Sequence, residues 1–280
     1  MTNQTTLNVK RLSGALGAEI SGIDLQGDLS SEQIAQLRQI WLDHGVIFFR
    51  DQDLSPDQFL AFAQSFGEII EYPFVRGLPE HPMIIPVMKL PHETHNFGGV
   101  WHTDTAYLPQ PPMATMLIGR EIPPYGGDTL FACGYAAYEA LSDGLKETLS
   151  DLKAVNSSAK ADVTKTREDR IAESATDIAN TTLIAEHPVV RTHPETGRKA
   201  LFVNFAHTTQ FSGWSEEESA PLLNYLYEHQ VRPEFTCRFN WAINSMAFWD
   251  NRRVLHNPVN DYHGHKRLLH RVTLQGDTPK

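Results

Sequence analysis

The sequence predicts a mainly β fold with flanking helices, of the jelly-roll or barrel kind, and three observations predict it. From about residue 83 onward, short apolar runs recur between Gly and Pro punctuation: "MIIPVM", "MATMLIG", "GGDTLFAC", "HPVVRTHPETGRKALFVN", "EFTCRFNWAINSMAFWDN" and "LLHRVTLQ". One of them, "FTCRFNW", alternates Phe235, Cys237, Phe239 and Trp241 with polar residues, the mark of an antiparallel strand with one buried face. Helical periodicity is confined to the first third and two inserts, so strands and helices do not alternate as they would in a parallel sheet.

The helices carry their own start and stop signals. "SSEQIAQLRQIWLDHG" opens on a capping-box pattern, Ser30 to Gln33, and sets Ile34, Leu37, Ile40 and Trp41 on one face. Gly45 is placed to end it, and "VIFFR" follows as a buried strand. In "SPDQFLAFAQSFG", Ser55 caps, Pro56 suits the first turn, Phe59, Phe62 and Phe66 face inward, and Gly67 is expected to stop the helix. The two inserts are "YAAYEALSDGLKETLSDL" and "SEEESAPLLNYLYEHQ", the latter with a Ser215/Glu218 box. The polar stretch 160–181 has little apolar periodicity and reads as a lid over a site or as a plain surface loop. No repeat or linker divides the 280 residues, so one domain spanning 1–280 is expected.

Composition narrows the function classes. The formal charge is 24 − 34 = −10 with histidines neutral, and no basic stripe stands out, which argues against nucleic acid as a partner. No apolar run approaches the roughly 20 residues of a membrane helix, and the first residues lack a secretory pattern. Two cysteines, Cys133 and Cys237, make no disulfide framework, and reduced thiols in a cytoplasm are expected. An anionic substrate would have to be held by a few local arginines, against the overall field.

Thirteen histidines supply many candidates for chemistry. His44, His81, His187, His193 and His229 sit at helix ends or before prolines and read as structural. "HETH" (His92, His95) and "HGH" (His263, His265) have metal-like spacing but lie in loop-like sequence. "VWHTDTAY" differs: in an extended segment, residues i and i+2 project to one side, so His102 and Asp104 can address one metal. His256, in "FWDNRRVLHNPVNDY", offers a third ligand and completes a 2-His-1-carboxylate set suited to Fe(II). If "RLLHRVTL" is a strand, Arg267, Leu269 and Arg271 share a face. Two arginines turned into a barrel would require anionic partners, whereas on the solvent side they would be merely exposed.

Taken together, "WHTDTAYLPQPPMATML", "PYGGDTLF", "AAYEALS", "HPVVRTHPETGRKALFVN" and "FWDNRRVLHNPVNDY…RLLHR" resemble the taurine dioxygenase family of Fe(II)/2-oxoglutarate-dependent oxygenases. The likeness runs from "GALGAEISGIDL" to "GDTPK", nearly the whole chain. It implies a double-stranded β-helix (jelly-roll) core, and Fe(II), 2-oxoglutarate and O2 as cofactors. It also implies hydroxylation of a C–H bond with release of succinate and CO2. By position, His102, Asp104 and His256 match the family's iron ligands. Arg267 matches the arginine on the far carboxylate of 2-oxoglutarate, Thr129 its hydroxyl partner, and Arg271 the arginine that holds an anionic substrate. Family members are often dimers or tetramers, which makes a homo-oligomer an expectation.

The substrate pocket departs from the taurine pattern. Tyr72 stands where taurine dioxygenases place a histidine, before the proline matching Pro73, and Gly98 stands where they place an asparagine for the substrate amine. Two pocket phenylalanines correspond to Ser158 and His207. Losing groups that hydrogen-bond a substrate changes what a pocket accepts. The resemblance then implies a small organic anion without an ammonium group: an alkylsulfonate, an alkyl sulfate ester or an aryloxyalkanoate. Hydroxylation beside sulfur or oxygen would collapse to a carbonyl with release of sulfite, sulfate or an alcohol. The alternatives are taurine dioxygenase proper, a non-catalytic metal- and 2-oxoglutarate-binding jelly-roll protein, and a zinc hydrolase, which leaves Arg267 and Thr129 without a role.

Overall fold

Side-chain caps and apolar alternation place the elements of the first third. A computed structural model describes residues 7–72, 74–96, 98–160 and 182–280. Strands β1 (Asn8–Arg11) and β2 (Ala18–Ser21) lead to helix α1 (Ser31–His44), where Ser30 and Gln33 form the reciprocal box and Gly45 ends the helix at φ 75°. Strand β3 (Val46–Phe49) follows at once, and helix α2 (Pro56–Gln64) starts on the Ser55/Gln58 box. α2 ends three residues short of Gly67. Ser65 caps it, and the Ser65 hydroxyl donates to the Phe62 carbonyl at 2.6 Å.

The strands then accumulate: β4 (Ile69–Ile70), β5 (Ile85–Lys89), β6 (Ala114–Glu121) and β7 (Thr129–Cys133). The first helical insert is two helices rather than one, α3 (Gly134–Glu139) and α4 (Asp143–Leu149), because the Ser142 hydroxyl accepts from Leu145 N–H and starts a new helix. Next come β8 (Lys153–Ser157), β9 (Ile184–Pro188), β10 (Val190–Thr192), β11 (Lys199–Leu201), β12 (Thr208–Phe211) and helix α5 (Glu216–Gln230). Strands β13 (Thr236–Phe239), β14 (Met246–Asp250), β15 (Val254–Pro258) and β16 (Arg267–Leu274) close the chain. The stretch read as a lid lies, apart from Lys160, outside the described residues.

An eight-stranded sheet runs β1-β2-β3-β14-β6-β16-β4, with β5 also on β16, and a three-stranded sheet runs β13-β7-β15. Between them Val46, Phe48, Leu117, Trp249 and Leu269 of the large sheet pack on Phe131, Phe239 and Val254 of the small one. On the other face of the large sheet, Ile47, Phe49, Ile118, Phe248 and Val272 pack against Leu37, Trp41, Phe59 and Phe62 of α1 and α2. Both faces of β3 are therefore buried, which explains its unbroken "VIFF". The same alternation in β16 turns Arg267, Leu269 and Arg271 to the interior between the sheets, with both arginines buried. Among the described residues, no helix is long and apolar enough to cross a membrane.

Candidate active site

The site is assembled by one long-range backbone contact. His102 N–H donates to the His256 carbonyl at 3.0 Å and His256 N–H returns the bond at 2.8 Å, an isolated antiparallel bridge between the loop before β6 and strand β15. Their rings stand 4.1 Å apart. Asp104, two residues on, turns to the same side: its Oδ1 lies 3.9 Å from His102 Nε2 and 4.0 Å from His256 Nε2. Among the described residues these three form the only group of three or more such side chains within reach of one metal ion, and all are buried.

Their chemistry suits a cation. The Val100 carbonyl accepts from His102 Nδ1 at 2.7 Å, so the Nε2 lone pair is the free one. Burial lowers the pKa of both imidazoles, and His256 is lowered further by His102, leaving neutral rings as metal ligation requires. Burial alone would raise the Asp104 pKa. Arg271, the two histidines and the Thr115 hydroxyl outweigh it and hold the group well below the usual carboxylate range. A buried chain of hydrogen bonds fixes the carboxylate: Thr115 donates to Asp104 Oδ2 at 2.6 Å, Asn251 Nδ2 to Thr115 at 2.9 Å, and Trp249 Nε1 to Asn251 Oδ1 at 2.9 Å. Oδ1 is thereby left facing the histidines. Sequence reading missed Thr115 and Asn251; the signal available was a threonine inside the buried run "MATMLIG".

Two cavities meet at this cluster and share Asn96, His102 and Arg271. One, about 580 Å³ counting its mouth, is lined by Thr129, Arg267, Lys89, Trp249 and His256 among others. Arg267 Nη2 donates to Thr129 Oγ1 at 3.5 Å, a long bond, while that oxygen also accepts from Trp241 Nε1 at 3.0 Å. Arg267 Nε is buried without a partner, an unmet donor inside the cavity wall. The other cavity, about 830 Å³, holds Tyr72, Gly98, Tyr107, His207, Asp104 and Arg271. There the Arg271 guanidinium lies 4.9 Å over the Tyr72 ring and brings Nη2 to 3.0 Å from Asp104 Oδ1.

The expected pocket residues divide. Tyr72 and His207 line the larger cavity, and burial, then the His102 charge, pushes the His207 imidazole down to about 3. Gly98 lines it too, but its place is set by packing: at φ +67°, a Cβ there would lie 2.9 Å from His102 Cε1. The glycine lets the loop close on the histidine. Ser158 lines neither cavity; its hydroxyl accepts from Leu183 N–H at 2.9 Å and ties the start of β9 to the end of β8. His95, read as half of a loop pair, does line the larger cavity.

Residues 8–273 match the family described as taurine catabolism dioxygenase TauD, TfdA family. The chain belongs to this family. Among TauD/TfdA relatives, an alkylsulfatase of Acinetobacter baylyi is 34% identical over 278 residues, covering 97% of this chain and 86% of that protein. A sulfate ester dioxygenase of Pseudomonas putida, named as alpha-ketoglutarate-dependent, is 34% identical over 280 residues, 98% of this chain and 91% of that protein. A crystal structure of a taurine dioxygenase from Burkholderia xenovorans superposes with a TM-score of 0.82 at 37% identity, over 98% of this chain and 92% of that one. The jelly-roll expectation is thereby borne out. At the level of the family, so is that of an oxidoreductase working with Fe(II), 2-oxoglutarate and O2.

Proposed function

We propose that the chain is an Fe(II)- and 2-oxoglutarate-dependent dioxygenase that hydroxylates a small organic anion, with release of succinate and CO2. The observation that carries the reading is the placing of His102, Asp104 and His256 between a cavity walled by Arg267 and Thr129 and a second walled by Arg271. When bound, Fe(II) with 2-oxoglutarate and O2 supplies the oxidising power for the C–H bond. The chain's own work is positioning. His102, Asp104 and His256 would hold the metal, with Asp104 steadied by Thr115. Arg267 and Thr129 take the far carboxylate of the cosubstrate through charge-assisted bonds. Arg271 takes the anionic end of the substrate, and the cation–π contact with Tyr72 holds its guanidinium toward the larger cavity.

The substrate class follows from what the larger cavity offers. Arg271 supplies a cation for a sulfonate, sulfate or carboxylate, and Gly98 brings no side chain to meet an ammonium group. The sulfate-ester names carried by two relatives put alkyl sulfate esters first, with alkylsulfonates and aryloxyalkanoates next. Hydroxylation of the carbon bearing a sulfate ester gives an unstable adduct that separates into an aldehyde and sulfate. The two cysteines, both buried and unpaired, support a cytoplasmic setting. A homo-oligomer belongs to the same proposal and is to be read from native mass.

The test is succinate release with Fe(II), ascorbate and 2-oxoglutarate across taurine, straight-chain alkylsulfonates, alkyl sulfate esters and aryloxyalkanoates, against a no-substrate background. Stimulation by one anion class is expected. Stimulation by taurine alone would replace the substrate reading with taurine dioxygenase proper. No succinate from iron-loaded protein would favour a non-catalytic binding protein.

A further inference from the structure

Arg267 gives the smaller cavity one cation, and Lys89 gives it a second. Lys89 ends β5, lines the same cavity and is only 4% exposed. It stands directly across from Arg267 in the β5–β16 register, so the two side chains leave the sheet on one face with Cβ atoms about 5 Å apart. Both charges also lie over one ring: Lys89 Nζ is 4.3 Å and Arg267 Cζ 5.8 Å from the centre of Tyr262.

Like charges set directly opposite each other destabilise a sheet, and burial sharpens the cost. Burial lowers the Lys89 pKa, and the Arg267 charge lowers it further against the opposing pull of Glu93 and Asp261. The ammonium carries three donors, and it donates to a neutral carboxamide, Asn260 Oδ1, at 2.8 Å. The carboxylates at this end of the barrel have donors of their own. Glu93, whose charge acts most strongly on Lys89, accepts from the Leu90 N–H at 2.5 Å. Asp128 accepts from Arg238 at 2.5 Å and Asn240 at 2.8 Å, and Asp261 accepts from the Gly127 N–H at 2.7 Å. An incoming carboxylate between Lys89 and Arg267 reverses the balance, because each cation then makes a charge-assisted bond instead of facing its like.

We propose that Lys89 is a cosubstrate-binding residue that brackets the far carboxylate of 2-oxoglutarate together with Arg267, so that this end of the cavity selects a dicarboxylate. The proposal rests on the 2-oxoglutarate-dependent reading above and adds a second cation to it. Lys89→Met keeps the length of the side chain and removes its charge.

Calorimetry on Mn(II)-loaded protein without O2 reads the binding of 2-oxoglutarate and of 2-oxobutanoate, which lacks the far carboxylate. Lys89→Met is expected to weaken 2-oxoglutarate about tenfold, the worth of one charge-assisted bond. Mn(II) and 2-oxobutanoate affinities are expected to stay within about twofold of the parent, since neither uses that bond. Unchanged 2-oxoglutarate affinity in the folded variant would overturn the proposal, as would an equal loss for both keto acids or a parallel loss of Mn(II). Lys89→Gln repeats the comparison if the Met variant does not fold. Failure of both to fold assigns Lys89 to the framework and overturns the proposal. Parent protein that binds Mn(II) but neither keto acid would instead sink the dioxygenase reading itself.

Discussion

Asp104 has each oxygen claimed by a different group: Thr115 holds Oδ2 by a hydrogen bond, while Oδ1 faces Arg271 and the two histidines. Thr115→Val removes the hydrogen bond at nearly constant volume and frees the carboxylate to rotate. Partners of this kind are worth about ten- to a hundredfold in metal affinity, so Fe(II) or Co(II) titration should show a loss of at least about tenfold. Parent-like affinity would show that Arg271 alone orients the group. His256→Ala is expected to abolish succinate release while far-ultraviolet dichroism stays parent-like; retained turnover with bound iron would remove His256 from the ligand set. At this scale the sequence was legible where chemistry forces a spacing. His102 and Asp104 share a face by strand geometry, and Arg267 and Arg271 share one by the same rule. Thr115 and Lys89 were not legible, because a threonine or a lysine acquires a role only from what the fold sets opposite it.

Strands and helices show the same divide between local and distant information. Ser30, Ser55 and Ser215 each form the full reciprocal box, since three or four residues suffice to specify it. The bridge between His102 and His256 joins segments over 150 residues apart in sequence, and no local pattern announces it. The break between α3 and α4 was missed for a different reason: apolar periodicity continues through "YAAYEALSDGLKETLSDL" while the Ser142 cap interrupts the backbone. Helix α1 packs on the face of the large sheet away from both cavities. Ser30→Ala should therefore cost about 1 kcal/mol in denaturant unfolding and leave 2-oxoglutarate binding unchanged. A change in cosubstrate affinity would mean that α1 is coupled to the site through the sheet.

For the whole molecule, the many histidines make acid sensitivity a property of the fold. His270 projects from β16 toward the helix-covered face of the sheet, and its pKa is pushed down to about 4 by burial first and then by the Arg120 charge. His187 is lowered by burial as well, although the carbonyls of Leu108 and Ala106 oppose it. The unfolded chain returns each imidazole to its ordinary value of 6.5. Above that pH both states are neutral and the contribution to stability is complete. As pH falls below it, the unfolded state takes up protons that the folded state refuses, so stability declines, and for His270 the decline continues to about pH 4. Asp250, buried against Arg252 and His193 and held below the usual carboxylate range despite its burial, extends the loss to still lower pH. Thermal unfolding between pH 8 and pH 4.5 should show a midpoint that is level in the upper part and falls below about pH 6.5. His270→Asn, which cannot titrate, should flatten part of that fall. A midpoint independent of pH in the parent, or an equal slope in the variant, would show that the His270 ring meets solvent freely enough to take up its proton in the folded state.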